Sequence, residues 1–316
     1  MTRFLVTGGA GFIGSSIARK LVEQEHQGVL VIDNLSTGKR ENLAPVLERI
    51  DLQIGDIRDK EFVEKQMRDI EVVFHHAAVA SVDQSIEDPM ATNECNIKGT
   101  LNVLLAARDN QVRRVVFASS SAIYGDSPAL PKHERMPVDP LSPYALSKYA
   151  AERYCQLFFH LYGVETVCLR YFNVFGPNQD AGSQYAAVIP RFTYAILNGK
   201  PITIYGDGEQ TRDFIFVEDA VSANLLAASA DGVGGMVFNI ASGERISINQ
   251  LAKHLMDVLD REVPVTHEEP RIGEVKHSLA DISKAAELLG YSPAIDTREG
   301  LRRSALWARS IHNVGC

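Results

Sequence analysis

Short, continuously apolar runs alternate with helix-patterned stretches through the first half of this 316-residue chain, and that alternation sharply limits the folds open to it. The runs are Phe4-Leu5-Val6-Thr7, Val29-Leu30-Val31-Ile32-Asp33, Leu52-Gln53-Ile54, Val72-Val73-Phe74-His75, Val115-Val116-Phe117-Ala118 and Thr166-Val167-Cys168-Leu169-Arg170. A strand with one wet face alternates apolar and polar residues. These do not, so they are expected to lie in a parallel sheet covered on both faces. Helices are expected between them, from about Ile13 to Glu25 and from about Thr92 to Asn110. Strand and helix in repeated succession imply a doubly wound α/β fold, whose ligands bind at the carboxyl ends of the strands.

After Arg170 the texture changes. Gly176-Pro177-Asn178, Asn198-Gly199-Lys200-Pro201 and Gly206-Asp207-Gly208 punctuate shorter elements, which predicts a smaller mixed α/β C-terminal domain over 176–316. Residues 214–242 read as sheet-like again and are expected to return to the first domain, 1–175.

Hydrophobic residues make up 45% of the chain and charged residues 23%, a folded globular composition. No apolar run approaches the roughly 20 residues that span a bilayer, so no membrane partner is expected. The N-terminus runs directly into a strand, which argues against a cleaved signal peptide. Cys95, Cys155, Cys168 and Cys316 lack CxxC spacing. A reducing cytoplasm, with no metal and no disulfide, is the expectation. A net charge of −8 argues against general nucleic-acid binding but leaves room for a local cluster of donors around an anion.

Gly8, Gly11 and Gly14 follow the first strand and open a helix. That is the setting in which glycines let a backbone approach a pyrophosphate at a helix N-terminus, although the spacing is GxxGxxG rather than GxGxxG. Asp33 ends the second strand, at the distance expected of an acid that accepts hydrogen bonds from an adenosine ribose and repels a 2′-phosphate. NAD is therefore favoured over NADP. Asp56, after the third strand, is placed either to meet the adenine edge or to cap a loop.

Tyr144 and Lys148 stand one helical turn apart after Ser142-Pro143, a helix N-cap followed by a suitable first residue. A positive charge about 5 Å from a phenol, at an effective dielectric near 20, is worth roughly 3 kcal/mol, or a little over two pKa units. Lys148 and an oxidised nicotinamide are thus expected to bring Tyr144 toward neutrality, where a general base works best. The bland alternative is an amphipathic helix that also carries Tyr149 and Tyr154. Ser119-Ser120-Ser121 follows the fifth strand at the ligand-binding edge and supplies hydroxyls there.

Taken together, the motifs resemble the extended short-chain dehydrogenase/reductases, and among them the UDP-hexose 4-epimerases. The likeness is carried by residues 7–14, Asp33-Asn34-Leu35, Gly55-Asp56-Ile57, His76-Ala77-Ala78 and Asn96-Ile97-Lys98-Gly99-Thr100. It continues through Ser120, Tyr144, Lys148, residues 170–176, Thr211-Arg212-Asp213-Phe214 and Arg271-Ile272-Gly273-Glu274. The resemblance implies a Rossmann-type domain, a UDP-sugar-binding C-terminal domain, NAD as cofactor and a homodimer. By the same likeness, Ser120, Tyr144 and Lys148 are the catalytic group. NAD contacts are implied for Gly8, Gly11, Phe12, Ile13, Gly14, Asp33, Asn34, Ser36, Thr37 and Gly38. Further along they are implied for Asp56, Ile57, Ala77, Ala78, Asn96, Ser119, Tyr144, Lys148 and Tyr171, with Phe172 also near the nicotinamide. UDP-sugar contacts are implied for Ser81, Ser120, Asn173, Val188, Tyr205, Arg212, Arg271, Glu274 and Ser278.

The implied reaction removes hydride and a proton at C4, forms a 4-keto sugar, turns it, and returns hydride to the other face. A related 4,6-dehydratase places an acidic pair directly after the catalytic Ser/Thr. Here those positions are Ser121 and Ala122, which disfavours elimination. A sensor that binds the nucleotide without turnover would usually lack the Tyr or the Lys. In the family a bulky residue at the position of Ser278 excludes an N-acetyl group, so Ser278 implies acceptance of UDP-GlcNAc and UDP-GalNAc beside UDP-Glc and UDP-Gal. The helices starting near Thr92 and Pro143 resemble those that pair across a family homodimer. Leu101, Leu104, Leu105 and Leu157 suit that interface or the core equally.

Overall fold

The computed structural model describes residues 3–180, 187–269 and 276–314, with side chains described to 312. Six strands of the first half are β1 (Phe4–Thr7), β2 (Val29–Asp33), β3 (Ile50–Ile54), β4 (Val72–His75), β5 (Arg114–Ser120) and β6 (Glu165–Tyr171). β1, β2 and β4 are buried at every position, as continuous apolar runs require. Helices α1 (Phe12–Glu23), α2 (Lys60–Gln66), α3 (Val82–Glu87), α4 (Pro89–Asn93), α5 (Thr100–Asp109) and α6 (Pro143–Tyr162) lie between them. The expected helix over 92–110 is interrupted: α4 passes through a π-helical stretch, Glu94–Gly99, into α5. Gly99 sits there because an added Cβ would come within 2.6 Å of Ile57 Cδ1.

The C-terminal half holds β7 (Asn173–Phe175), α7 (Val188–Leu197), β8 (Ile202–Tyr205), β9 (Thr211–Arg212), β10 (Phe214–Phe216), α8 (Val217–Ser229) and β11 (Val237–Ile240). It continues with β12 (Ile246–Ser247), α9 (Ile248–Leu259), β13 (Val265–Glu268), α10 (Ser283–Leu289) and α11 (Thr297–Val314).

The main sheet runs β11-β6-β5-β4-β1-β2-β3, all parallel. The strand order turns between β1 and β4, the switch point where a doubly wound sheet opens a crevice at its carboxyl edge. The glycine loop leaves β1 there. The expected return of 214–242 holds for β11, which pairs with β6, but not for β10, which pairs with β7 in a separate ribbon. Phe214–Phe216 is too short to cross the main sheet and α8 begins at once at Val217.

Two apolar clusters sandwich the sheet. One joins Val6, Phe74, Val116 and Phe238 to α1 and α8; the other joins Leu5, Val73, Val115 and Cys168 to α5 and α6. Truncating a fully buried phenylalanine such as Phe74 to alanine costs about 3–5 kcal/mol. A third cluster, with Phe175, Phe192, Phe214, Leu251 and Leu255, is the core of the C-terminal part. Phe12, from the first turn after the glycine loop, packs on this third cluster and so fastens the two parts together. Cys95, Cys155 and Cys168 are free thiols. Among the described residues no helix is long and apolar enough to cross a membrane.

Candidate active site

The glycine loop is built for close approach. Gly8 has φ +67°, and a Cβ on it would stand 2.6 Å from the Ala77 nitrogen. A side chain at Gly14 would collide with the Gly8 carbonyl, so α1 can begin tight against the turn only with glycine there. Ile13 packs on the core beneath the loop. The Thr7 hydroxyl meets both His75 Nδ1, at 2.7 Å, and the Ala77 amide, at 3.3 Å. That places Ala77-Ala78 opposite the loop.

Asp33 is buried, and its carboxylate accepts from the Ala10 amide at 2.9 Å and the Leu35 amide at 2.8 Å. It therefore organises the loop. A Cβ on Gly38 would lie 2.7 Å from Asp33 Oδ1, so 34–38 wraps around this carboxylate. Ser36 and Thr37 are exposed on it, and the Ser36 amide donates to Asn34 Oδ1 at 3.0 Å. Asn34 Nδ2 donates to Asp56 at 2.8 Å. Arg58, which the sequence reading missed, grips Asp56 with two nitrogens, at 2.9 and 2.7 Å. These hydrogen bonds, led by the one from Arg58, hold the Asp56 carboxyl down at about 2. The Ile57 side chain goes into the core.

Three expected cofactor contacts have their side chains occupied elsewhere. Asn96 latches both the amide and the carbonyl of Val79, at 2.8 and 3.0 Å, and donates to Ser147 Oγ at 2.9 Å. Both its amide hydrogens are used. The Ser119 hydroxyl donates to Glu152 at 2.7 Å. Tyr171 is buried, with its hydroxyl receiving from Asn224 at 2.6 Å and lying 3.2 Å from His76 Nε2. The His76 Nδ1 is buried without a partner. Burial, with Lys148 adding to it, lowers the His76 pKa to about 3, so this imidazole stays neutral. Phe172 belongs to a small cluster with Ile123 and Tyr124.

The catalytic candidates converge at the end of β5. The Ser142 side chain caps α6 by accepting from Ala145, with Pro143 in the first turn. Tyr144 follows, its phenol buried near the Ser120 hydroxyl. Its backbone is held on both sides: the amide donates to Ser85 Oγ at 3.0 Å, and the carbonyl accepts from Ser147 Oγ at 2.8 Å. Ser85 also donates to the Val82 carbonyl at 2.6 Å, which ties α3 to the tyrosine. Burial pushes the Tyr144 phenol up, and the Ser120 hydroxyl pulls it back down.

The Lys148 ammonium donates to the Ala118 carbonyl at 2.8 Å and stands 5.1 Å over the Phe117 ring. Desolvation lowers it to about 8. Without cofactor, the Ser120 hydroxyl is the group that favours the Tyr144 phenolate, while Lys148 is bonded to the end of β5.

A cavity of about 440 Å³ opens between β7, α7 and β8. Asn173, Val188, Tyr205 and Arg212 all line it, with Val82 at one wall. Asn173 donates to the Asp213 carbonyl at 3.0 Å, and Arg212 to the carbonyls of Thr211 and Lys276 at 3.0 and 3.2 Å. Arg191 also lines it, 5.6 Å over the Tyr205 ring, and was not foreseen. Ser81 caps α3, accepting from the Gln84 amide at 3.1 Å. Ser278 is half-buried and its amide donates to Thr211 at 3.0 Å, one residue from Arg212. Arg271 and Glu274 lie outside the described residues.

The carboxyl edge of the sheet thus carries the glycine loop after β1 and Ser120 at the end of β5. The model of the NAD dependent epimerase/dehydratase family matches residues 4–241. This chain belongs to that family. Among solved structures, it is similar to the UDP-N-acetylglucosamine 4-epimerase of Methanobrevibacter ruminantium in complex with UDP-N-acetylmuramic acid. The two share 44% identity and a TM-score of 0.94 over 98% of this chain and 99% of that one. The UDP-glucose 4-epimerase of Thermotoga maritima with UDP-glucose is 38% identical, TM-score 0.94, over 98% and 100%. The UDP-glucose 4-epimerase of Thermus thermophilus in complex with NAD is 37% identical, TM-score 0.90, over 98% and 99%.

As a member of the NAD dependent epimerase/dehydratase family, the chain is an enzyme that works with bound NAD. Its own residues fit that cofactor. The loop excludes side chains at Gly8 and Gly14, and of the two carboxylates at the same edge, Asp33 ends β2 and Asp56 follows β3.

Proposed function

We propose that this enzyme interconverts the C4 epimers of UDP-hexoses, accepting UDP-GlcNAc and UDP-GalNAc as well as UDP-Glc and UDP-Gal. The observation that carries the reading is Ser120 at the carboxyl edge of β5, where its hydroxyl lowers the buried Tyr144 phenol, together with a cavity lined by Arg212 and Asn173. NAD, when bound, supplies the hydride acceptor. Tyr144 as phenolate takes the C4 hydroxyl proton and holds it on its oxygen through the 4-keto stage. Ser120 donates to the phenolate or to the C4 oxygen, and Lys148 fixes the end of β5 through Ala118. The planar guanidinium of Arg212 suits a diphosphate, as does that of Arg271 by the family likeness.

Elimination is disfavoured because Ser121 and Ala122 start a helical turn after Ser120 and offer no carboxyl group. The N-acetyl reading is supported by the small side chain at Ser278 and by similarity to an enzyme named for UDP-N-acetylglucosamine. Incubation with each of the four UDP-sugars, followed by separation of the C4 epimers, tests it. Conversion of both pairs is expected, and no turnover of UDP-GlcNAc would remove the N-acetyl half.

A homodimer is part of the same reading. Met90 on α4 and Leu146, Leu157, Leu161 and Tyr162 on α6 are exposed, an apolar face across two packed helices that a second copy would cover. Leu157 belongs to this face, whereas Leu104 is fully buried in the core and Leu101 and Leu105 pack against it. Sedimentation at micromolar concentration should show twice the chain mass. The free thiols suit a reducing cytoplasm.

A further inference from the structure

A sheet covered on both faces is expected to be apolar throughout, yet one row across three of its strands is polar. Ser119 of β5 stands beside Arg170 of β6, and Arg170 beside Asn239 of β11. All three are buried. The next row toward the carboxyl edge pairs Ser120 with Tyr171.

Glu152 of α6 bridges the polar row. One carboxylate oxygen accepts from the Ser119 hydroxyl at 2.7 Å and from Arg170 Nε at 2.9 Å, and the other from Arg170 Nη2 at 2.7 Å. Arg170 Nη1 donates to the Tyr124 hydroxyl at 2.8 Å, which donates to Asn239 Oδ1 at 2.7 Å. Asn239 Nδ2 then donates to the carbonyls of Lys132 and Asp281, at 2.9 and 3.2 Å, on the segment that carries Ser278. None of these groups has a part in the chemistry above.

Burying a carboxylate and a guanidinium together is often no better for stability than a well-packed apolar pair. What this pair provides is geometry. Tyr144, Lys148 and Glu152 follow one another at single helical turns along α6, so they share a face. Lys148 holds the carbonyl of Ala118, and Glu152 holds the side chain of Ser119. Successive turns of the helix thus grip successive residues of β5. The residue after these two is Ser120, whose hydroxyl lowers the Tyr144 phenol.

We propose that Glu152, backed by Arg170, is a positioning residue for epimerisation: through Ser119 it fixes α6 on β5 so that the Ser120 hydroxyl reaches the Tyr144 phenol. The inference rests on the reading of Tyr144 as base and Ser120 as its partner. Replacing Glu152 would leave Arg170 buried and unpaired and endanger folding, so the test variant is Ser119→Ala. It removes the link to β5 and leaves the ion pair intact.

The measurements are kcat and KM for UDP-glucose against pH, bound NAD per chain, and the thermal unfolding midpoint, on purified wild type and Ser119→Ala. The expected result is a roughly tenfold fall in kcat with KM, NAD content and unfolding midpoint unchanged. The acid limb of kcat should move to higher pH, because a looser Ser120 hydrogen bond raises the Tyr144 pKa. A variant matching an active wild type in kcat and pH profile overturns the inference alone. A fall in kcat without a moved acid limb, or one explained by lost NAD or a lower midpoint, also overturns it, since a merely structural role would do the same. An NAD-loaded wild type that converts no UDP-sugar overturns the functional reading and this inference with it.

Discussion

The Lys148 ammonium is bonded to the Ala118 carbonyl, 2.8 Å away, on the strand that ends in Ser120. It therefore acts on Tyr144 through the position of β5 as well as through its charge. Tyr144 itself is raised by burial and relieved by Ser120, so the site makes a strong base of its phenolate once the proton has left.

Replacing Tyr144 with phenylalanine removes that base and little else. Turnover should fall by about 10²–10⁴-fold, the usual range for a lost general acid–base group. Bound NAD should remain near one per chain, because no hydrogen bond that shapes the glycine loop involves the phenol. Retained turnover in steady-state assays would remove Tyr144 from its role.

The buried Lys148 is a cost to the fold that the chemistry requires. Its pKa falls from 10.5 to about 8, so between those values the unfolded chain holds a proton that the folded one has released. Stability then rises with pH across that window, and the penalty is fully present below pH 8. At 1.36 kcal/mol per unit the penalty is at most about 3 kcal/mol. Lys148→Met should therefore be inactive yet unfold at a higher temperature than wild type at pH 7. The gap should close as pH rises toward 10. Scans at fixed NAD concentration check this, and a lower midpoint for the variant at pH 7 would contradict it.

Asp33 has two amides on its carboxylate. Asp33→Asn keeps the shape but loses two charge-assisted bonds, each worth about 1.5–3 kcal/mol, and places an NH₂ group where only acceptors serve. NAD retention through gel filtration should drop sharply, and discrimination against NADP should weaken. Unchanged NAD content would count against this carboxylate as the adenosine anchor.

Much of this site was legible in the sequence, for physical reasons that differ by residue. Gly8, Gly14 and Asp33 are forced by backbone contacts that follow from their place between strand and helix. Arg212, Asn173, Val188 and Tyr205 came from family likeness and share one cavity. What escaped was the buried polar bonding between distant segments. Ser85 lies 59 residues from Tyr144, and Glu152 meets Ser119 across 33. Neither pairing leaves a periodic signal, because a hydrogen bond between elements depends on register and not on spacing along the chain. For the same reason the internal partners of the Ser119, Asn96 and Tyr171 side chains left no signal in the sequence. The pairing partners of β10 and β11 were not legible either, because short apolar runs look alike wherever they pair.

Ser278→Tyr should distinguish the two substrate pairs. A phenol in place of the serine would fill space beside Arg212 and lower kcat/KM for UDP-GlcNAc by about 10²-fold or more, as an overpacked pocket does. UDP-Glc should be changed by a few-fold at most. Equal losses on both pairs in parallel assays would show that the space an N-acetyl group occupies is elsewhere.

The central claim is hydride transfer at C4, with Tyr144 moving the hydroxyl proton. It is tested most directly by following deuterium placed at C4 of UDP-glucose through conversion to UDP-galactose. The account predicts that the product keeps its deuterium at C4, in water, through many turnovers. Loss of the label to solvent would mean that C4 is inverted by another route and would contradict it.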